Sequence, residues 1–170
     1  MINLEIKVKA LNIEEIKNKA LQIGAKDMGV LNQTDTYFLV GKKRLKLREE
    51  KEKSYLVLYM RPDTGNSKFS KYYIVNISLS LVSFVKRSLS FIFGIKIVVN
   101  KKRNLLIYKN TRIHLDDVKN LGIFVELETV VNNEEKINNF KQEHDFVIGS
   151  LGLDKLMKIP QSYSDLILNK

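Results

Sequence analysis

Charged side chains recur at every second position in one short segment after another: Glu5, Lys7 and Lys9; Arg44, Lys46 and Arg48; Lys101 and Arg103; Arg112, His114 and Asp116; Glu126 and Glu128. A two-residue period places such groups on one face of an extended strand. Most of them are cations, and guanidinium groups donate in pairs that match phosphate oxygens. The carboxylates do not suit a plain phosphate-backbone binder, because they would repel its ligand. Glu5, Asp116, Glu126 and Glu128 instead offer hard oxygen donors for Mg²⁺ or Mn²⁺. An ion held there would bridge protein to phosphate and neutralise charge that develops during transfer. His114 is the single candidate for a general base, although a lone strand histidine among cations more often serves as a hydrogen-bonded structural group. His144, between Glu143 and Asp145, is expected on an exposed helix face.

The elements that must position these groups follow from periodicity and punctuation. Leu4 to Lys9 alternates as a strand; Asn12 with Glu15 forms a capping box, Ile13 to Ile23 has helical spacing, and Gly24 stops it. Further strands are expected over Met28–Val40, Arg44–Glu50, Tyr55–Arg61 and Lys68–Val75, with a turn from Pro62 to Asn66. A second helix is expected from a Ser80 cap through Phe93. Ile95–Arg103 and Leu105–Lys109 read as a strand pair, followed by strands Arg112–Asp116 and Ile123–Val130 around a turn at Asn120–Gly122. A last helix, capped near Asn132 with Glu135 three residues on, runs to about Leu151.

This is an α+β pattern of about eight strands and three helices in one domain, 1–170. Eight mostly antiparallel strands can form a closed or nearly closed β-barrel, a tunnel of the size that encloses one small ligand, with the helices packed outside. In an isolated strand a charged face ordinarily points at water. Here the helices' apolar stripes must cover apolar strand faces from outside, which turns the charged faces inward. Tyr37, Tyr59 and Tyr72 are expected mainly as packing.

Composition narrows the chemistry further. The chain of 170 residues has no cysteine, which excludes thiol catalysis, disulfides and thiolate zinc sites. A net charge of +10 calls for a polyanionic partner: nucleic acid, an anionic membrane surface or a phosphate-rich small molecule. The apolar stretch from Ile74 to Val99 is broken by Lys86, Arg87 and Gly94, so no membrane span and no membrane partner are expected. Met1 leads directly into charged alternation, which reads as no signal peptide and a cytoplasmic address.

Several segments together resemble the CYTH family, the triphosphate tunnel fold that includes class IV adenylyl cyclases, thiamine triphosphatases and inorganic triphosphatases. Leu4-Glu5-Ile6-Lys7-Val8-Lys9 stands where the family has E-x-E-x-K, departing at Lys7. Gln33 to Phe38, Arg44 to Glu49, Tyr59 to Asp63 with Lys68, the Lys101/Arg103 pair, and Thr111–Val118 followed by Leu121–Glu128 continue the likeness. The last run and the ending Ser162 to Leu166 are most similar to the cyclase branch.

The resemblance implies metal binding by Glu5, Glu126 and Glu128, with Asp116 nearby, and phosphate binding by Lys9, Arg44, Lys46, Arg48, Arg61, Lys68, Lys101, Arg103 and Arg112. Lys7 would add its own cation where the family has an acid. The implied activity is conversion of ATP to cyclic AMP and diphosphate, or hydrolysis of a triphosphate, with Mg²⁺ or Mn²⁺ as cofactor. A homodimer is also compatible with the resemblance. The competing class is a non-catalytic barrel that binds a triphosphate or nucleic acid; the carboxylates weigh against nucleic acid.

Overall fold

The computed structural model describes residues 2–41, 44–60, 68–132 and 137–170. The chain runs β1 (Ile2–Lys9), α1 (Ile13–Gln22), β2 (Lys26–Phe38), β3 (Arg44–Glu49), β4 (Ser54–Met60), β5 (Lys68–Ile77), α2 (Val82–Phe93), β6 (Ile95–Tyr108), β7 (Thr111–Val118), β8 (Gly122–Val131), α3 (Ile137–Leu151) and α4 (Tyr163–Leu168). All eight strands pair antiparallel in one curled sheet, ordered β1-β5-β4-β3-β2-β6-β7-β8.

The ladder returns on itself from β8 to β1, but unevenly. β1 pairs with β8 from Ile2↔Val131 through Lys9↔Phe124, whereas its other edge meets β5 only from Ile2↔Lys71 to Glu5↔Lys68. Beyond Glu5 that edge is taken by a segment that is not one of the eight strands: Lys9 N–H donates to Met157 O at 3.0 Å, and Ile159 N–H donates to Lys7 O at 2.8 Å. The sheet curls back on itself only through this short seam and is a half-barrel beyond it, where a closed or nearly closed barrel was expected. The physical reason lies in that short seam, where β5 matches only the first half of β1.

Each strand of the far wall buries one apolar and one polar face. Ile6 and Val8 pack with Leu115, Val125 and Leu127 beneath Ile16 and Ala20 of α1 and Val147 and Leu151 of α3. Val82 and Leu89 of α2 lie against Phe38, Leu45 and Leu47. The helices therefore cover the apolar outer face, and the alternate side chains Asn3, Glu5 and Lys7 are buried on the inner one.

Local chemistry explains the departures from expectation. Asn104 is not a break between two strands: its amide donates to Asp27 Oδ1 at 2.7 Å and to Gly29 O at 3.0 Å, filling the register irregularity of β2 so that β6 continues unbroken. Ser80 does not cap α2, because its hydroxyl is bonded to that of Ser78 at 2.9 Å and a 3₁₀ turn, Leu79–Leu81, leads into the helix. The Asn12 cap holds, accepting from the Glu15 N–H. The Pro62–Asn66 turn and the Glu135 part of the α3 cap lie outside the described residues. The unforeseen α4 carries its own capping box, Ser162 with Asp165. His144 is buried, not exposed; its Nδ1 is 2.8 Å from Thr129 Oγ1, and burial pushes its pKa down to about 4.

Candidate functional site

Inside the curl is a cavity of about 150 Å³ to which β1, β3, β6, β7 and β8 contribute charged groups: Glu5 and Lys7, Lys46 and Arg48, Lys101 and Arg103, Arg112, Glu126 and Glu128, with Tyr37, Ser162 and Tyr163. Strand alternation delivers them: on β1, β3 and β8 the neighbouring positions belong to the apolar core, and on β6 they are the outward-facing Asn100, Lys102 and Asn104. The cations are not left to repel one another. Two buried aspartates, Asp35 and Asp116, sit among them.

Asp35 accepts from Arg48 Nε and Nη2, both at 2.7 Å, and from Lys46 Nζ at 2.8 Å. Asp116 accepts from Arg103 Nε and Nη2, both at 2.6 Å, and from the Tyr163 hydroxyl at 2.9 Å, with Lys101 Nζ at 3.5 Å. In both pairs the acid and the arginine are direct cross-strand partners, Asp35↔Arg48 and Arg103↔Asp116. Each arginine spends one edge of its fork on its aspartate, which fixes the plane of the guanidinium and leaves Nη1 for an anion in the cavity. Burial opposes ionisation of both acids, but Arg48 and Lys46 hold Asp35, and Arg103 and Lys101 hold Asp116, well below the usual carboxylate range.

Lys101 is the softest cation of the set. Burial, then the neighbouring Arg103 charge, push its pKa down to about 7, and Asp116 only partly compensates. Burial and Arg48 act in the same direction on Lys46. A phosphate chain in the cavity would supply the negative charge these ammonium groups lack.

Beside the Arg103–Asp116 fork, His114, Glu126 and Glu128 offer ligand atoms that all lie within 4.8 Å of one another, and Arg103 Nη2 also donates to Glu126 Oε2 at 3.0 Å. His114 Nδ1 is buried without a hydrogen bond among the described residues, 3.9 Å from Glu126 and 3.8 Å from Glu128. That spacing leaves room for an ion between donors, since metal–ligand bonds of about 2.1–2.4 Å set donors roughly 3–3.5 Å apart. Burial, then Arg103, lower the His114 pKa, which keeps the ring neutral and able to ligate. The donor set therefore fits a divalent cation.

The anticipated residues are thus sorted. Glu5, Glu126 and Glu128 line the cavity, and His114 joins the two β8 glutamates as a ligand candidate. Asp116 stands instead with the cations, its oxygens engaged by Arg103 and Tyr163. Lys46, Lys101 and Arg103 are buried at the cavity, Arg48 is half-buried there, and Arg112 is at its rim, 3.7 Å from Glu128. Lys9 is exposed at the end of β1. Arg44 faces a neighbouring cleft and bonds Asp165 at 2.7 Å. Arg61 lies outside the described residues, as do the side chains of Lys68, Tyr59 and Tyr72. Lys7 turns toward the chain's later segment: its Nζ donates to Gln161 O at 2.9 Å, lies 4.2 Å from the Tyr163 ring centroid, and is 3.9 Å from Glu126. Sequence reasoning missed Asp35 and Tyr163, whose partners lie on other elements.

A family model for the CYTH domain matches residues 1–163. No curated protein matches the chain. Among solved structures, a protein from Pyrococcus horikoshii OT3 is 28% identical with a TM-score of 0.77, over 96% of this chain and 98% of that one. A candidate adenylate cyclase from Vibrio parahaemolyticus is 16% identical with a TM-score of 0.76, over 98% of each chain. A candidate adenylyl cyclase from Hippeastrum with a dominant triphosphatase activity is 13% identical with a TM-score of 0.62, over 98% of this chain and 93% of that one. At such identities the last two show a shared fold.

Proposed function

The chain belongs to the CYTH family, and from that premise we propose that it binds a triphosphate in its half-barrel and cleaves it with the help of a divalent cation. One observation carries this reading. Two arginines locked on buried aspartates, Arg48 on Asp35 and Arg103 on Asp116, share one cavity with Glu126 and Glu128, which His114 adjoins. Cations aimed in advance and a carboxylate cluster that adjoins them suit a polyanion that arrives with a metal, and suit nucleic acid poorly.

Glu126 and Glu128, with His114 and Glu5 beside them, would hold Mg²⁺ or Mn²⁺, which when bound would offset charge on the phosphate oxygens. The protein's own groups do the rest. Arg48, Arg103 and Lys101 would grip the phosphate chain and stabilise charge on its non-bridging oxygens, a contribution on the order of 10²-fold in rate for one well-placed donor. Tyr163, with its hydroxyl on Asp116 and its ring against Phe124, would keep water out on the α4 side.

A volume of about 150 Å³ is below the roughly 300 Å³ at which pockets for drug-sized ligands begin. The size therefore supports a phosphate chain inside and favours hydrolysis of a compact triphosphate by water over cyclisation of ATP. The test is incubation with inorganic triphosphate, thiamine triphosphate and ATP, with Mg²⁺ or Mn²⁺, and identification of products by mass. Phosphate release is the expected result; cyclic AMP would shift the assignment to a cyclase, and tight binding without turnover would make the protein a triphosphate sensor.

A further inference from the structure

Away from the cavity, α2 presents an apolar surface that none of the described residues covers. Only Val82 of its twelve residues is buried. Its inward contacts are Val82 and Leu89, seven residues apart and so on one side of the helix. Phe84 and Phe91, also seven apart, fall roughly on the opposite side and are 69% and 91% exposed. Leu79, Leu81 and Ile92 are exposed beside them. The patch continues onto β5: Tyr73 and Val75 are the cross-strand partners of Leu58 and Leu56, whose outer face α2 packs on, and both are exposed.

The charge around this patch is mainly positive. Between Asp63 and Asp116 the sequence contains no acidic residue. Arg87 lies on the outer side of α2 between the two phenylalanines, exposed and without an ion-pair partner among the described residues, while Lys86 is held by Glu49 at 2.7 Å and Lys96, at the helix exit, lies 3.6 Å from Asp165. A second copy of the chain is a poor occupant. A two-fold axis that sets Phe84 against Phe91 of the other copy passes between Arg87 and Ser88, and so opposes the two Arg87 guanidiniums with no acid on either helix to separate them. Among the described residues no helix is long and apolar enough to cross a membrane. An apolar face with a basic fringe on a helix of this length instead matches an element lying in the plane of a lipid surface.

We propose that α2 and the outer face of β5 dock the protein onto anionic lipid, with Phe84 and Phe91 inserted at the headgroup boundary and Arg87 among the headgroups. The cavity lies on the other face of the sheet and stays accessible in this pose. The test is sedimentation of the whole protein with vesicles of phosphatidylcholine alone or of phosphatidylcholine mixed with phosphatidylglycerol. Binding is expected only to the mixed vesicles, weakened by salt, lost in the F84S/F91S double variant, and reduced roughly tenfold or more by R87E. Inorganic triphosphate binding by both variants must remain as in the parent, which reports that they are folded. Equal sedimentation with neutral vesicles, no sedimentation with either, or a solution dimer that F84S/F91S dissociates would overturn the proposal.

Discussion

The low proton affinity of Lys101 turns ligand binding into a pH measurement. Burial and Arg103 bring its pKa to about 7, whereas an ordinary lysine titrates at about 10.4. If a bound phosphate chain restores the ordinary value, only the protonated form binds well, and affinity falls roughly tenfold per pH unit above 7 and nearly a hundredfold between about pH 6 and pH 9. The ligand's own ionisation adds a background that the K101R variant, whose guanidinium does not titrate in this range, reveals directly. Calorimetric titration with inorganic triphosphate, run for both proteins without metal, should give a steep decline for the parent and a shallow one for K101R. In buffers of different ionisation heat near pH 8, the parent should take up close to one proton per ligand. The sign for the free protein is opposite: the folded pKa lies below the unfolded one, so the unfolded chain holds the extra proton between about 7 and 10 and stability rises with pH there. Matching pH slopes for the parent and K101R would refute the argument.

Three further outcomes are expected. The E126Q/E128Q pair should remove metal-dependent turnover by about 10²-fold or more and abolish Mn²⁺-induced thermal stabilisation, while metal-free triphosphate binding survives. Asp35→Asn leaves Lys46 and Arg48 buried without their anion and should cost about 3–5 kcal/mol in chemical denaturation, a loss that a neutral surface site would not show. His144 is held neutral by burial, with a folded pKa of about 4 below its ordinary 6.5, so its contribution is intact above about 6.5 and is lost as pH falls toward 4; H144F should flatten acid unfolding in that window.

How much of this was legible depended on whether the signal was local. The inward set on β1, β3 and β8 could be read because alternation is a property of single strands, as in Arg44-Leu45-Lys46-Leu47-Arg48. The fit of Asp35 to Arg48 could not, because it exists only through the β2–β3 register. The same holds for Asp116, whose pairing with Arg103 exists only through the β6–β7 register. His144 was misread from its acidic neighbours. Its helical phase with Phe140, Val147 and Leu151, all buried, held the correct answer. The barrel's incomplete closure depended on where β5 stops matching β1, a question of strand length that turn residues do not answer.

The segment Met157–Ile159, which takes the free edge of β1, and Tyr163, which bonds Asp116, both come after every strand in the chain. During synthesis the eight strands emerge first. A nascent chain that has reached Leu151 already owns both arginine–aspartate forks and the β8 glutamates, yet Lys7 lacks its Gln161 acceptor and the Asp116 carboxylate lacks its phenol. Assembly of the half-barrel and completion of its active geometry are therefore separate events in time, and the second waits on the residues that close over β1.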